Sequence, residues 1–299
     1  MDATTALRRR RAGLWTGALD ALPAPRLLDA AAELDELGYG SLWFGEAYGR
    51  ESLTTALALT GATRKLVVGT GIANIYARGA MAAAAAARLV HALAPGRFVL
   101  GLGVSHQPLV ERDRGSNYRP PVRAMADYLD ALHQAPYFGA DAELPPIVLA
   151  ALGPRMLRLS RDRTAGAHPY LVTPDHTRQA RRILGSMPLL VVEQAAVLDQ
   201  NRTEGLRRGH EHLNIYTGLT NYRNSWIRQG FTEDDLVRGG SDRLVDALVV
   251  LGDETAVLDR VRQHLDAGAD HVCVQVLGHD LSEVPFREWR GLAPALGRA

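Results

Sequence analysis

Short apolar runs alternate with amphipathic segments from one end of the chain to the other. Apolar runs bounded by turn residues predict strands over 13–18, 40–44, 66–70, 97–102, 147–150, 167–172, 189–198 and 271–277, the sixth interrupted by Pro169. Apolar residues at helical spacing predict helices over 26–37, 52–62, 79–93, 122–133, 154–162, 174–184, 241–251 and 255–265. In the first of these Leu27, Ala31 and Leu34 share a face; in the last, Leu258, Val261 and Leu265 do. Gly38 and Gly268 stand where a helix ends, and Pro154 stands where one begins. The stretch 201–235 reads as an extended helical insertion.

Eight strand–helix units predict an α/β fold, a (β/α)8 TIM-like barrel with a helical insertion before the last strand, and no linker divides residues 1–299. Such a barrel needs about 250 residues. A doubly wound open sheet is the alternative topology. In a barrel the active face is built just after each strand, so the places to search follow Phe44, Thr70, Leu102, Ala150 and Val172.

Composition narrows the classes. With 299 residues and 46% apolar content the chain has ample material for a core. Its 34 basic and 33 acidic residues leave a formal charge of +1, which argues against a nucleic-acid surface. Cys273 is the only cysteine, so an intrachain disulfide and a CxxC metal site are excluded; its plainest role is that of a small buried hydrophobe. The basic run 8–11 is followed by an apolar stretch soon broken by Asp20 and Pro23. A signal sequence needs roughly 7–15 apolar residues there, so a solvated basic arm is expected instead. No run approaches the roughly 18 apolar residues of a membrane span. A soluble cytoplasmic protein, with no membrane and no nucleic-acid partner, is the expectation.

Familiar motifs fail on inspection. Gly101–Gly103 and Gly69–Gly71 each begin a dinucleotide fingerprint, but His106 and Asn74 occupy its final glycine position. Gln107 breaks a GxSxG elbow around Ser105. Lys65 follows Arg64, which excludes a P-loop. His210 and His212, two apart on a helix, point to different faces and do not share a metal. No metal site is expected, and a barrel hydrolase loses its support.

The strand ends carry a more specific signal: GYGSLWFGEA over 38–47, GTGIAN over 69–74, PGRFVLGLGVS over 95–105, and LDAGADHV over 265–272. In this order the chain resembles the bacterial luciferase-like flavin and deazaflavin oxidoreductases, in particular their F420-dependent branch, from residue 13 to residue 277. The resemblance implies a barrel with an insertion at 201–240 and coenzyme F420 as cofactor. It implies a non-prolyl cis peptide at Gly71–Ile72, with Ile72 backing the central ring and Asn74 meeting its polar edge. It places Gly103, Val104 and Ser105 against the cofactor through their backbone, where glycine permits close approach.

It also matches Glu46 to an acidic residue near the deazaflavin. Many members follow that acid with a histidine that moves a proton; this chain has Ala47. His106 is the candidate replacement, since histidine titrates near neutrality, and its alternatives are a cofactor contact or a hydrogen-bonded loop residue. Leu152, Gly153, Pro154 and Met156 open a helix whose free N–H groups suit a phosphate. Thr173 and His176, opening the next, are candidates for the phosphodiester. Ordinary helix capping explains both starts equally well. Trp15, Tyr76, Tyr222 and Trp226 are candidates for the substrate pocket, with plain packing as the alternative.

The expected activity is therefore hydride transfer between deazaflavin C5 and a small organic substrate. The alternatives are an FMN-dependent monooxygenase of the same superfamily and, in another class, a barrel that binds F420 without catalysis. A homodimer is compatible with the family. Lys65 is the only lysine, so arginine supplies the other 33 basic residues. With abundant Ala and Gly this skew fits a high-GC genome such as an actinobacterium's. It also means that cofactor phosphates must be met by Arg, His and backbone N–H, because Lys65 precedes the third strand.

Overall fold

The structure, a computed structural model, describes residues 2–140, 143–280 and 283–297. Ten strands run in chain order as β1 (Ala12–Trp15), β2 (Ser41–Phe44), β3 (Val67–Thr70), β4 (Ala73–Asn74), β5 (Phe98–Gly103), β6 (Ile147–Leu149), β7 (Gly166–Ala167), β8 (Leu189–Leu198), β9 (Val249–Gly252) and β10 (His271–Val276). The helices are α1 (Ala3–Arg9), α2 (Ala24–Glu36), α3 (Ser52–Ala62), α4 (Ala80–Leu93), α5 (Pro121–His133), α6 (Pro154–Arg163), α7 (Pro174–Leu184), α8 (Arg202–Tyr216), α9 (Thr220–Arg228), α10 (Asp242–Leu248), α11 (Glu254–Asp266) and α12 (Phe286–Leu296).

Eight strands close a parallel barrel in the order β1-β2-β3-β5-β6-β7-β8-β10, with β10 pairing back to β1. Alternation along each strand sorts two cores. Leu14, Leu42, Val68, Phe98, Leu100 and Val272 face the helices. Trp15, Trp43, Val67, Val99, Val148, Val191 and Cys273 fill the barrel. Trp43 is fully buried and, with Trp15, the largest of the interior residues. Room for it comes from Gly69, where a Cβ would lie 2.4 Å from the indole. The indole N–H donates to Ser41 Oγ at 3.0 Å, and His271 Nε2 accepts from that hydroxyl at 2.6 Å. His271 Nδ1 in turn donates to the Leu7 carbonyl. Burial lowers the His271 pKa to about 4, so the ring is neutral.

Three regions differ from the sequence expectation. Residues 3–9 form a helix that the sequence pattern did not predict, because Ala3, Ala6 and Leu7 share an apolar face that plugs the barrel bottom, while the basic run 8–11 at its end is exposed, as expected. Its first turn is capped by the Asp2 carboxylate, which accepts from Thr5 N–H at 2.9 Å. The predicted sixth strand over 167–172 shrinks to β7: Pro169 has no N–H for the ladder, and Leu171 turns left-handed at φ 52°. The predicted helix over 241–251 ends at Leu248, and the Val249-Val250-Leu251 run becomes β9. Strand β9 pairs residues 195–198 of β8, on the edge that β7 occupies at 189–190. Helices α8, α9 and α10 lie between β8 and β9. Among the described residues no helix is long and apolar enough to cross a membrane.

The tight seat of Trp43 gives a test. Gly69→Ala is expected to lower unfolding stability by about 1–3 kcal/mol through overpacking, read as a reduced urea midpoint. An unchanged midpoint would show that the indole has somewhere to go.

Candidate active site

The ends of β2, β3, β5, β6 and β7 meet in one cleft across the top of the barrel. On one side a cavity of about 450 Å³ is walled by residues 103–106 and 150–156, Tyr118, Tyr222 and Arg228. On the other a cavity of about 590 Å³ is walled by Trp15, Tyr170, Tyr216, Gln275 and Leu277. A space of about 300 Å³ lies between them, bordered by Glu46, Gly71, Ile72, Ser105, His106 and His168.

Glu46 follows β2 and is almost fully buried. One carboxylate oxygen accepts from Asn74 N–H at 2.8 Å; the other accepts from Ser52 N–H at 3.2 Å and from the Arg78 guanidinium. Arg78 also reaches Glu51 at 2.7 Å. The carboxylate thus ties the ends of β2 and β3 to the starts of α3 and α4 while facing the cleft.

The loop after β3 is closed without the expected cis bond. Among the described residues no peptide is cis, so Gly71–Ile72 is trans. Gly71 N–H donates to Phe44 O at 2.6 Å, and Gly71 O accepts from the Trp15 indole at 3.2 Å. These bonds hold the bulge, and a cis isomer would add about 3–4 kcal/mol. Strand β4 then resumes pairing with β5. Ile72 lies against Gly103, where a Cβ would come within 2.4 Å of the Ile72 side chain. Ser105 holds a left-handed backbone at φ 57°, uncommon outside glycine and concentrated at functional sites. His106 faces both the 450 Å³ and the 300 Å³ spaces. Burial lowers its pKa, partly offset by the hydrogen bond the ring donates to the Asn221 side chain, so the ring is neutral at pH 7.

Other sequence candidates divide clearly. Leu152, Gly153, Pro154 and Met156 line the 450 Å³ cavity together with Val104. Trp15 and Tyr222 border the central space. Asn74 is fully buried, its amide oxygen accepting from Tyr76 N–H. Tyr76 packs on Tyr118 and accepts from Arg119 N–H, behind the wall that Tyr118 forms. Thr173 caps α7 and donates its hydroxyl to Gln229. His176 donates through Nε2 to Leu152 O at 3.0 Å. Trp226 is fully buried and donates to Leu171 O. Thr173 thus caps α7, as the capping alternative has it, while the His176 ring ties α7 to the loop before α6; Trp226 supports Tyr222 from behind at 5.6 Å between rings.

Arg155, beside Met156 in the first turn that the sequence offers to a phosphate, borders the 450 Å³ cavity. Several other site residues were not singled out from sequence. Arg228 borders the same cavity. Tyr170 borders all three spaces, its hydroxyl donating to Gln275 at 2.7 Å and accepting from Tyr216. Beneath this tyrosine cluster Glu193 is fully buried in β8. Burial raises its pKa to about 8, against the hydrogen bond it accepts from Leu171 N–H at 2.9 Å. The signal was available: Glu193 is the lone charge in the run 189–198, where Gln194 is the other polar residue, and charged residues are almost never fully buried without cause. Among the described residues no group of three or more His, Cys, Asp or Glu is placed to hold a metal.

Residues 6–271 match the family model of the luciferase-like monooxygenases. A Mycobacterium tuberculosis protein provisionally named a coenzyme F420-dependent oxidoreductase is 24% identical over 317 residues, covering 85% of this chain and 90% of that one. The 4-hydroxyprotoasukamycin monooxygenase of Streptomyces nodosus is 34% identical over 116 residues, covering 36% of this chain and 31% of its own. Among solved structures, an F420-dependent secondary alcohol dehydrogenase with an F420–acetone adduct superposes with a TM-score of 0.73 at 12% identity, covering 96% of this chain and 98% of that one. The FMN-bound oxygenating component of 3,6-diketocamphane monooxygenase, from a Pseudomonas putida plasmid, gives 0.70 at 15% identity, covering 96% and 98%. These two structures share the fold.

Two consequences of the buried charges can be measured. Arg78→Met leaves Glu46 buried without its cation and is expected to cost about 3–5 kcal/mol, part of it recovered by adding Glu46→Gln. Full additivity of the two changes would contradict the pairing. For Glu193 the folded pKa of about 8 lies above the ordinary 4.5. Between these values the native state keeps a proton that the unfolded chain has lost, so stability falls as pH rises. Glu193→Gln keeps an acceptor for Leu171 and removes the titration. Its stability relative to wild type should rise from about pH 5 to about pH 8, approaching about 1.4 kcal/mol per pH unit. Urea unfolding at both pH values would reveal it, and a pH-independent difference would refute it.

Proposed function

The chain belongs to the luciferase-like monooxygenase family, and from that premise we propose that it is an F420-dependent oxidoreductase that moves a hydride between deazaflavin C5 and a small organic substrate. The observation that carries the reading is the 450 Å³ cavity, whose lining combines apolar side chains with the start of α6, Arg155 and Arg228. Val104, Ala150, Ala151 and Leu152 are among the apolar ones. The first turn of α6 offers the N–H groups of Arg155 and Met156, which have no intrahelical acceptor. Arg155 and Arg228 add positive charge there.

The residues fit a phosphate-bearing ring cofactor through the donors they bring together at the helix start: the N–H groups of Arg155 and Met156 beside the Arg228 guanidinium, whose Nη2 donates to Leu152 O at 3.3 Å. Bound deazaflavin would supply a two-electron hydride donor or acceptor at one ring carbon.

The chain's own residues would do the rest. Arg155, Arg228 and the α6 amides hold the phosphate. Ile72 and Val104 offer apolar contact to the ring. Trp15, Tyr170, Tyr216 and Tyr222 exclude water and shape the substrate space. His106, neutral and at the junction of the spaces, is the group placed to exchange a proton with the substrate oxygen. Glu46 has its carboxylate engaged by Arg78 and two backbone amides, so its part is to hold the β2 and β3 ends in register.

The F420 assignment draws on the mycobacterial relative, which spans most of both chains. An FMN-dependent monooxygenase is the second reading, favoured by the FMN-bound barrel of the same fold. The donors at the α6 start serve either cofactor.

Titration of the purified protein with F420 and with FMN, followed by fluorescence, tests the reading. F420 is expected to bind, and Arg228→Ala to weaken it about tenfold or more, the range of a hydrogen bond to a charged group. The loss should shrink at high salt. Tight FMN binding with no affinity for F420 would overturn the deazaflavin assignment in favour of the monooxygenase.

A further inference from the structure

His210 and His212 leave α8 on different sides. His210 is spent on the fold, between Gly239 O and Asp242. His212 turns instead to the 590 Å³ cavity, where Tyr170 and Gln275 meet it. The Tyr170 hydroxyl donates its single hydrogen to Gln275 Oε1 at 2.7 Å and accepts from the Tyr216 hydroxyl at 3.2 Å. His212 Nε2 stands 3.4 Å from the same Tyr170 oxygen. With the tyrosine's hydrogen already committed, that contact requires the ring's hydrogen on Nε2.

Two atoms keep capacity to spare. A neutral imidazole with its hydrogen on Nε2 leaves Nδ1 as an acceptor. An amide whose oxygen faces Tyr170 turns its nitrogen away, with two hydrogens to give. Among the described residues neither His212 Nδ1 nor Gln275 Nε2 has a partner, and neither is one of the unpartnered atoms sealed from solvent. Both side chains are part-buried, and both border the cavity. Burial lowers the His212 pKa to about 4, so the ring is neutral at pH 7. The cavity therefore offers one acceptor and one donor, on two side chains that share the Tyr170 hydroxyl.

The rest of the lining narrows what can use them. Trp15, Ile215, Val276 and Leu277 supply apolar contact. The described residues also bring four carboxylates and one guanidinium, Arg208, which donates to the Leu277 and Gly278 carbonyls. Among them no cation is left free to receive an anionic substrate.

We propose that His212 Nδ1 and Gln275 Nε2 are specificity-determining contacts for an uncharged, hydroxyl-bearing substrate, whose hydroxyl donates to His212 and accepts from Gln275. A hydroxyl both gives and accepts at one atom. A carbonyl or ether oxygen leaves Nδ1 unmet, an ammonium leaves the amide unmet, and a carboxylate meets like charge. His106 borders the other two spaces, so this hydroxyl is a second polar group of the substrate, apart from the oxygen at the reacting carbon. The proposal rests on the reading of this cavity as the substrate space and is independent of which cofactor binds.

Calorimetric titration of the full chain with 2-naphthalenemethanol, its methyl ether and 2-naphthoate tests it without turnover. The alcohol is expected to bind about tenfold tighter than the ether, which has no hydrogen for Nδ1, and the carboxylate to bind weakest. His212→Leu is expected to bring the alcohol down to the level of the ether and leave the ether unchanged. His212→Asn, whose amide oxygen reaches close to the position of Nδ1, is expected to restore the preference. Gln275→Leu is expected to weaken alcohol and ether alike, about threefold or more, since both oxygens accept. In each variant 2-methylnaphthalene, which has no oxygen, is expected to bind as it does to the wild type, showing that the cavity still forms. Equal binding of alcohol and ether, tighter binding of the carboxylate, no binding of the alcohol, or a preference untouched by His212→Leu overturns the proposal. Titrating the same protein with F420 and FMN reads the cofactor assignment separately: if neither binds, that assignment fails, while the alcohol preference still decides this one.

Discussion

One indole organises the barrel. Trp43 fills the interior at mid-height, and its neighbours are arranged around its volume and its single N–H. Gly69 gives up its side chain to it. Below, its N–H begins a chain of hydrogen bonds through Ser41 and His271 to the backbone of α1, which joins the plug helix to the strands. Above, its face sets the plane of the His168 ring. Dense interiors transmit such constraints because they contain few voids to absorb a displacement. The floor of the cleft is the upper surface of this packing unit.

The polar groups over that floor fall into two kinds. Some are spent on architecture: Glu46 with Arg78 and Thr173 with α7 have their functional atoms engaged by the fold, and Asn74 gives its amide oxygen to the turn at Tyr76 while its buried amide nitrogen has no partner. Others face the cleft with capacity left over, namely His106, Arg155 and Arg228. The separation follows from desolvation. A carboxylate at this depth is tolerable only when donors surround it, whereas a neutral imidazole is cheap to bury. Glu193 shows the remaining solution, a carboxyl that keeps its proton near neutral pH.

Much of the barrel was legible in the sequence because its strands are short apolar runs between amphipathic helices, and periodicity reports that directly. β2, β3, β5 and β8 lie where the runs place them. The failures have local causes. The apolar residues after Ala167 look like strand, but Pro169 and the left-handed Leu171 take them out of the ladder. The Val249-Val250-Leu251 run continues the apolar pattern of α10, and only its pairing with the free upper edge of β8 makes it a strand. At the site, residues beside strand ends were found by position: Ile72, Gly103, Ser105 and His106. Arg228 and Tyr216 come from α8 and α9, distant in sequence, and their arrival at the cleft is a tertiary fact that no local spacing encodes. Thr173 and His176 carried a real helix-start signal whose capping and binding meanings are identical in sequence.

The brevity of β7 has a consequence for how this scaffold changes over time. Only two residues of β7 pair with β6 and β8, and beyond them single backbone bonds, His168 N–H to Leu149 O and Glu193 N–H to Pro169 O, tie the chain to its neighbours. A residue within a ladder must satisfy two neighbouring strands as well as its own side-chain environment. Within 168–172, His168 and Tyr170 face the cleft while Leu171 and Val172 pack into the cores. The two cleft-facing positions form a short cassette in which new side chains can be tried without re-registering eight strands. Divergent members of such a lineage would then differ here first, trading ligand preference while inheriting the same barrel.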